Sequence, residues 1–340
     1  MRPSDWGNRQ RHGAAVPCHA DGDKLIGQSP AFLQTVELIR KSAQCDATVL
    51  IEGETGTGKE LAARAIHYMS ARKDAPFIPV NCGAIPESLL ESELYGHERG
   101  AFTDARDAST GLIEQAHGGS LLLDEIEAMS ARTQIVLLRF LQDHRYRLVG
   151  GKVNRQANVR VIASSNADVE SLTQSGAFRS DLYFRLNVLA IRLPSLRERP
   201  GDAVLLAREF CRRLSQRYGL PEKPLHSDTI RFLESYHWPG NVRELENMMH
   251  REYLFSDSPT IQVTHPCRHG IRQTTVACAQ EQDFKTAKAA AVTQFERSYL
   301  TDILTRAGGN ISAAARMAGK ERSAFCRLLK KHWLSHAMHL

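Results

Sequence analysis

Eight residues, Gly53-Glu54-Thr55-Gly56-Thr57-Gly58-Lys59-Glu60, stand between the apolar run Val49-Leu50-Ile51 and a stretch of helical periodicity. Glycines let the backbone curl so that its N–H groups face inward, and Lys59 can reach the outer oxygens of an anion held there. The helix that follows aims its positive end at the same charge. Strand, glycine loop and helix in this order predict a nucleotide-phosphate site with Gly53, Glu54, Thr55, Gly56, Thr57, Gly58, Lys59 and Glu60 around it. Glu60 stands where such loops carry Ser or Thr, so metal coordination has to be arranged differently, with Glu60 itself a candidate ligand. The loop alone is also compatible with a plain glycine turn.

A second group answers to the first. Leu121-Leu122-Leu123 is an apolar strand ending in the adjacent carboxylates Asp124-Glu125. Asp124 is placed to hold Mg2+, directly or through water, and Glu125 to polarise the water that attacks the outer phosphate. Such a pair also serves as an ordinary helix cap, but behind a phosphate loop in the same domain the catalytic reading prevails. ATP and Mg2+ are the implied cofactors.

The elements that must position these groups alternate between strand and helix from residue 24 to 194. Short apolar runs at 48–51, 77–80, 121–123 and 159–163, with helical patterns such as 133–142 between them, predict an α/β domain. Its sheet is parallel, with helices on both faces. Residues 195–256 turn wholly helical, with helices over 202–218, 227–236 and 241–254, and read as a small lid subdomain. Residues 257–282 lose periodicity and read as a linker; 1–23 read as a flexible arm. The tail, 283–340, carries three helices over 284–307, 310–318 and 321–332, divided by Gly308-Gly309 and Gly319.

Charge is unevenly placed. The chain of 340 residues carries a net +6, and after residue 300 seven Lys and Arg stand against Asp302 and Glu321, so nearly all the excess lies in the tail. A basic tail on a near-neutral body suggests a polyanion partner, most simply DNA, although a solvated basic face would carry the same charge. The seven cysteines form no CxxC pair and are odd in number, which argues against a zinc site and a disulfide framework and for reduced, mostly buried thiols. No apolar run is long enough for a bilayer, and residues 1–23 lack the apolar centre of a secretory signal. A cytoplasmic protein with no membrane partner is the expectation.

From residue 25 to 332 the chain resembles the AAA+ ATPases that activate bacterial RNA polymerase carrying the sigma-54 factor, the enhancer-binding proteins. The resemblance rests on GETGTGKE at 53–60, VNCGAIPESLLESELYGHERGAFTDA at 80–105 and GGSLLLDEI at 118–126. FRSDLYFRLNV at 178–188, LPSLRERPGD at 193–202 and WPGNVRELEN at 238–247 complete the set. It implies that Asn81 is a switch residue bonded to Glu125, that Asn166 is the sensor at a strand end, and that Arg243 is the lid arginine reading the γ-phosphate. Arg179 and Arg185 match the guanidiniums offered to the neighbouring subunit's nucleotide, where each would offset charge on the departing phosphate. That arrangement implies a homo-oligomeric ring, a hexamer.

The same resemblance makes Phe102 and Thr103 the contact with sigma-54, in the loop commonly written GAFTGA. Here its second glycine is Asp104, which adds a side chain and a charge. The tail resembles a Fis-like helix-turn-helix, with Phe325 and Leu329 forming its buried stripe and Arg322, Ser323, Cys326 and Arg327 left to face the DNA groove. A plain three-helix interaction bundle is the alternative. Many relatives carry an N-terminal receiver, and none fits before Lys24, so a short form controlled by an inhibitor protein in trans or by expression level is expected. The reading is an ATP-hydrolysing activator that binds upstream DNA and remodels sigma-54 polymerase. Its rival is a DNA-binding AAA+ repressor or sigma-54-independent regulator with ATP mainly as ligand.

Overall fold

The structure, a computed structural model, describes residues 14–17, 24–101, 107–263 and 310–331, with isolated positions between 293 and 307. The chain divides into two compact units, Met1–Pro266 and Cys267–Leu340.

In the first unit, β1 (Ala14–Pro17) pairs antiparallel with β2 (Lys24–Gly27), Ala14 opposite Gly27. Helix α1 (Pro30–Ala43) starts on a proline, whose fixed φ suits a first turn, and ends with Arg40 and Lys41 against the negative end of its dipole. β3 (Val49–Glu52), the glycine loop and α2 (Lys59–Tyr68) follow, then β4 (Phe77–Asn81) and α3 (Glu87–Tyr95). A short antiparallel pair, β5 (Gly96–His97) with β6 (Ser109–Thr110), flanks residues 102–106. α4 (Leu112–Gln115) and β7 (Ser120–Asp124) lead to α5 (Ala131–Asp143), whose Ser130 cap accepts from the Thr133 amide. The pair β8 (Arg145–Tyr146) and β9 (Arg155–Gln156) precedes β10 (Arg160–Ser165); α6 (Val169–Gln174), α7 (Ser180–Leu186) and β11 (Leu189–Arg192) end the subdomain.

The main sheet has the order β11-β3-β10-β7-β4, every pair parallel. Val49, Leu50, Ile51 and Leu121 to Leu123 are fully buried, because helices cover both faces and leave no side for polar alternation. Parallel pairing sends every strand's carboxyl end to one edge, so the loop after β3 opens beside the ends of β7 and β10. β11 escaped the sequence reading: Leu189-Ala190-Ile191-Arg192 is a half-exposed edge strand, although Val188 to Ile191 is an apolar run as long as those read as strands.

Three helices, α8 (Asp202–Tyr218), α9 (Ser227–Ser235) and α10 (Asn241–Phe255), make the lid. Trp238 anchors it, 1% exposed, with its indole N–H donated to the Leu233 carbonyl at 3.0 Å and its ring edge-on to Tyr236. A buried pair ties the lid to the α/β part. Arg199 Nε reaches Asp202 at 2.9 Å, and the guanidinium lies 4.1 Å over the Phe32 ring. Asp202 also accepts from the amides of Gln28 and Ser29 and the Ser29 hydroxyl. Both charges are thus hydrogen-bonded, the condition under which burial is tolerable.

Two expected boundaries are corrected. The arm read over 1–23 contains β1, a strand at 14–17 paired with β2. The linker read from 257 starts too early: Ile261 and Val263 are buried in the lid core, Ile261 bridging Leu225. Two apolar residues on alternate positions were enough to dock this segment, too few to show as periodicity. Among the described residues no helix is long and apolar enough to cross a membrane. Cys45, Cys82, Cys211 and Cys326 are free thiols; Cys82 and Cys211 are buried, Cys45 is exposed.

In the second unit, α11 (Ile311–Met317) is capped by Asn310, which accepts from the amides of Ser312 and Ala313. Gly319, at φ 61°, turns the chain into α12 (Arg322–Lys331). Ala314, Ala315, Phe325, Leu329, Leu300 and Ile303 form its core. The helix expected over 284–307 lies outside the described residues apart from isolated positions.

Candidate active site

Gly56 and Gly58 hold φ of 80° and 101°, left-handed geometry that a glycine enters without strain. A Cβ on Gly56 would stand 2.3 Å from the Gly240 carbonyl oxygen, so the loop's shape and its contact with the lid both require glycine there. Thr57 closes the curl by donating its hydroxyl to the Glu54 carbonyl at 2.8 Å. Lys59, the first residue of α2, is 7% exposed and folds back into the loop. Its ammonium donates to the carbonyls of Gly53 at 2.8 Å and Glu54 at 3.1 Å, and to Asn166 Oδ1 at 2.5 Å. Burial pushes the Lys59 pKa down, against the pull of Asp124, Glu127 and Glu125.

Strand register delivers the other groups to the same edge. Asn81 stands opposite Asp124, and Ser165 opposite Glu52. Asp124 Oδ1 accepts the Ser164 hydroxyl at 2.6 Å and the Glu125 amide at 3.1 Å. Glu125 itself sits at φ 57°, ψ 49°, a left-handed conformation that costs a residue with a Cβ about 1 to 2 kcal/mol. Such strain persists where the surroundings fix it, and it collects at functional sites. Asn166 Nδ2 donates to Glu125 Oε1 at 3.3 Å, so one amide side chain spans the lysine and the second carboxylate. The Asn166 backbone amide donates in turn to Glu127 Oε1 at 2.9 Å.

The lid is clasped onto the loop. Val242 and Arg243 donate their amides to the Gly56 carbonyl. Fully buried Asn241, at φ 51°, donates to Glu54 Oε2 and the Thr55 carbonyl, both at 3.1 Å, and accepts from the Leu196 amide at 2.8 Å. Arg197 pairs with the Glu54 carboxylate through both guanidinium ends. The Arg197 guanidinium, with Asn241 second, holds Glu54 down at about 2.

Sequence comparison sorts the chain into three matched parts: a sigma-54 interaction domain over 25–192, an AAA+ ATPase lid domain over 197–282, and a bacterial regulatory protein, Fis family, over 291–332. The transcriptional regulatory protein GlrR of Escherichia coli is 41% identical over 312 residues, 92% of this chain and 68% of that one. The chain belongs to the sigma-54-dependent regulators. The transcriptional regulatory protein FlbD of Caulobacter vibrioides is 47% identical over 250 residues, 73% of this chain and 55% of that one. Among solved structures, NtrX from Brucella abortus in complex with ATP superposes with a TM-score of 0.70 at 33% identity, covering 92% of this chain and 69% of that one. The chain thus spans about half to two thirds of the length of these relatives. The AAA+ α/β fold, helical lid and C-terminal helix-turn-helix are those of the family.

Within this sigma-54 regulator fold, only some of the predicted site residues meet. Lys59, Asp124, Glu125, Asn166, the glycine loop and the start of α10 with Arg243 converge. Asn81 does not make the expected bond: its Oδ1 accepts from the amides of Gly83 and Ala84, and Asn166 takes its place on Glu125. The reason is local, since an Asx turn offers two amides at 2.8 and 2.9 Å without moving the chain. Glu60 is likewise diverted, its carboxylate held by Arg64 one turn on at 2.7 Å. Arg179 pairs with Asp181 at 2.6 Å, and Arg185 donates to the Leu141 carbonyl at 3.1 and 2.9 Å. In α12, Arg322, Ser323 and Arg327 are exposed and Cys326 is half-buried, while Phe325 and Leu329 are buried. Phe102, Thr103 and Asp104 lie outside the described residues.

Sequence reasoning missed Asn241, Arg197 and Glu127. The first two lie inside the quoted motifs WPGN and LRER, whose polar residues at helix starts were a usable signal. Nothing local marks Glu127.

Proposed function

We propose that this protein hydrolyses ATP and uses the energy to remodel RNA polymerase carrying sigma-54, at promoters selected by its helix-turn-helix. The observation that carries the reading is the chain Lys59–Asn166–Glu125 at the mouth of a glycine loop. A phosphate entering the loop replaces the Gly53 and Glu54 carbonyls on the Lys59 ammonium, exchanging two neutral acceptors for a charged one. Asn166 then links phosphate-bound Lys59 to Glu125, so that the base is oriented by the group that detects the ligand. Glu125 takes the proton of the attacking water. Arg243, at the first turn of α10 against Gly56, senses the outer phosphate and carries its presence to the lid.

Magnesium fits the donor set. Asp124, Glu125 and Glu127 all act on Lys59, and one Glu127 oxygen is buried without a hydrogen-bond partner among the described residues. That excess of negative charge suits a divalent cation, and Asp124 is its natural ligand because Glu60 is taken by Arg64. When bound, the cation would neutralise charge on the phosphate oxygens.

Subunits assemble as a ring, a hexamer, in the cytoplasm, and Arg179 and Arg185 serve the neighbour's nucleotide. Among the described residues, Arg179 has an exposed carboxylate to leave and Arg185 a backbone carbonyl. NtrX is described in complex with ATP, and the same ligand is expected here. The test is a pair of variants. Lys59→Ala should lose ATP binding, whereas Glu125→Gln should bind ATP and hydrolyse it at least about a hundredfold more slowly, the range set by loss of a general base. Equal hydrolysis by wild type and Glu125→Gln would remove Glu125 from this role.

A further inference from the structure

Of the three carboxylates that act on Lys59, Asp124 and Glu125 have named roles above, while Glu127 enters only through its charge. Glu127 lies in the single 3-10 turn Ile126–Ala128 that begins at Glu125. Its Oε1 accepts the Asn166 backbone amide at 2.9 Å. The same asparagine donates its side-chain amide to Glu125 and accepts from Lys59. The segment after β10 is therefore fastened to the turn after β7 at two points, one through its side chain and one through its backbone. Only the backbone point is independent of where the Asn166 amide has to point. Without it, among the described residues the hydrogen bond left between Asn166 and this turn is the 3.3 Å one, the longer of the two.

The other oxygen of Glu127 is buried and finds no hydrogen-bond partner among the described residues. Among the described residues, the hydrogen bond that Glu127 makes is thus the one it accepts from the Asn166 amide. We propose that Glu127 is a positioning residue for ATP hydrolysis: it fixes the backbone of Asn166 so that the amide bridges Lys59 and Glu125 at working distance. The proposal rests on the ATPase reading. It adds to it the element that sets the distance between phosphate sensor and base.

Three proteins decide the matter, all full-length: wild type, Glu127→Ala and Glu127→Gln. Glutamine keeps an oxygen for the Asn166 amide; alanine removes it. In Glu127→Ala, kcat should fall about tenfold to a hundredfold, the effect expected of a displacement near 1 Å, while the KM for ATP stays within about threefold because the glycine loop is untouched. Glu127→Gln should recover most of kcat. Hydrogen exchange of the Asn166 amide in nucleotide-free protein supplies a readout free of catalysis: faster than wild type in Glu127→Ala, near wild type in Glu127→Gln. Unchanged kcat and unchanged Asn166 exchange in Glu127→Ala would overturn the proposal, as would equal losses of kcat in both variants. A wild type that binds ATP but shows no turnover would instead overturn the ATPase reading, and Asn166 exchange would still decide whether Glu127 holds that backbone.

Discussion

Glu54 belongs to the phosphate loop, yet its side chain faces the lid, where Arg197 and Asn241 hold it. That geometry gives a pH dependence with a definite sign. The carboxylate is depressed from its ordinary 4.5 to about 2 in the folded chain, so its contribution to stability is complete above about 4.5. It is lost as pH falls from there through about 2. Urea midpoints of wild type and Glu54→Gln should therefore differ by a constant amount between pH 7 and pH 5, and the gap should close below about pH 4. Because the pair is about two-fifths exposed, the gap itself should be small. A gap that widens on acidification would show that the clasp is not made by an ionised Glu54. The strained left-handed backbone of Glu125 is held on both sides, its amide donating to Asp124 Oδ1 and its carbonyl accepting from the Ala128 amide.

At the scale of elements, the loop between β5 and β6 carries the question of coupling to polymerase. Phe102 and Thr103 are proposed as the contact tip, and Asp104 replaces the glycine usual in the family. Thr103→Ala should leave ATP turnover within about twofold while preventing open-complex formation in a reconstituted sigma-54 transcription assay, since Thr103 is not one of the residues proposed to bind nucleotide. Asp104→Gly separates the two functional readings. If Asp104 merely tunes the loop, wild type and Asp104→Gly both open the promoter; activity gained only in Asp104→Gly would favour the regulator that keeps ATP as a ligand. The helix-turn-helix is a second such element. Arg322→Ala or Arg327→Ala should cost about 1 to 3 kcal/mol at one base pair if the arginine reads a guanine, measured by titration against a site and its single-base variants. Uniform weakening on every sequence would assign that arginine to phosphate instead.

For the whole molecule, the prediction concerns assembly. Arg179 and Arg185 hydrogen-bond Asp181 and the Leu141 carbonyl, and among the described residues neither bonds to the glycine loop of its own chain. In the proposed ring these two guanidiniums serve the neighbour's nucleotide. Specific ATPase activity should therefore rise with protein concentration, and Arg185→Ala mixed with Lys59→Ala should recover turnover that neither has alone. Activity independent of concentration across the range where sizing shows monomers would exclude the trans arrangement.

The glycine loop and the Asp124-Glu125 pair were legible in the sequence because each is contiguous: a few neighbouring residues carry the whole chemical signature. The parallel sheet was legible for a related reason, since strands buried on both faces read as unbroken apolar runs. The docked pair Ile261 and Val263 was not, because two apolar residues are too few to show as a pattern. Asn81 shows the opposite limit: motif likeness assigned it to Glu125, and a turn of its own two residues away claimed it. What the tertiary structure alone decided is which distant groups meet. Asn166 reaches Lys59 across 107 positions, and Asn241 reaches Glu54 across 187. No local pattern records such a meeting, because strand register and lid packing set it, not the residues at either end.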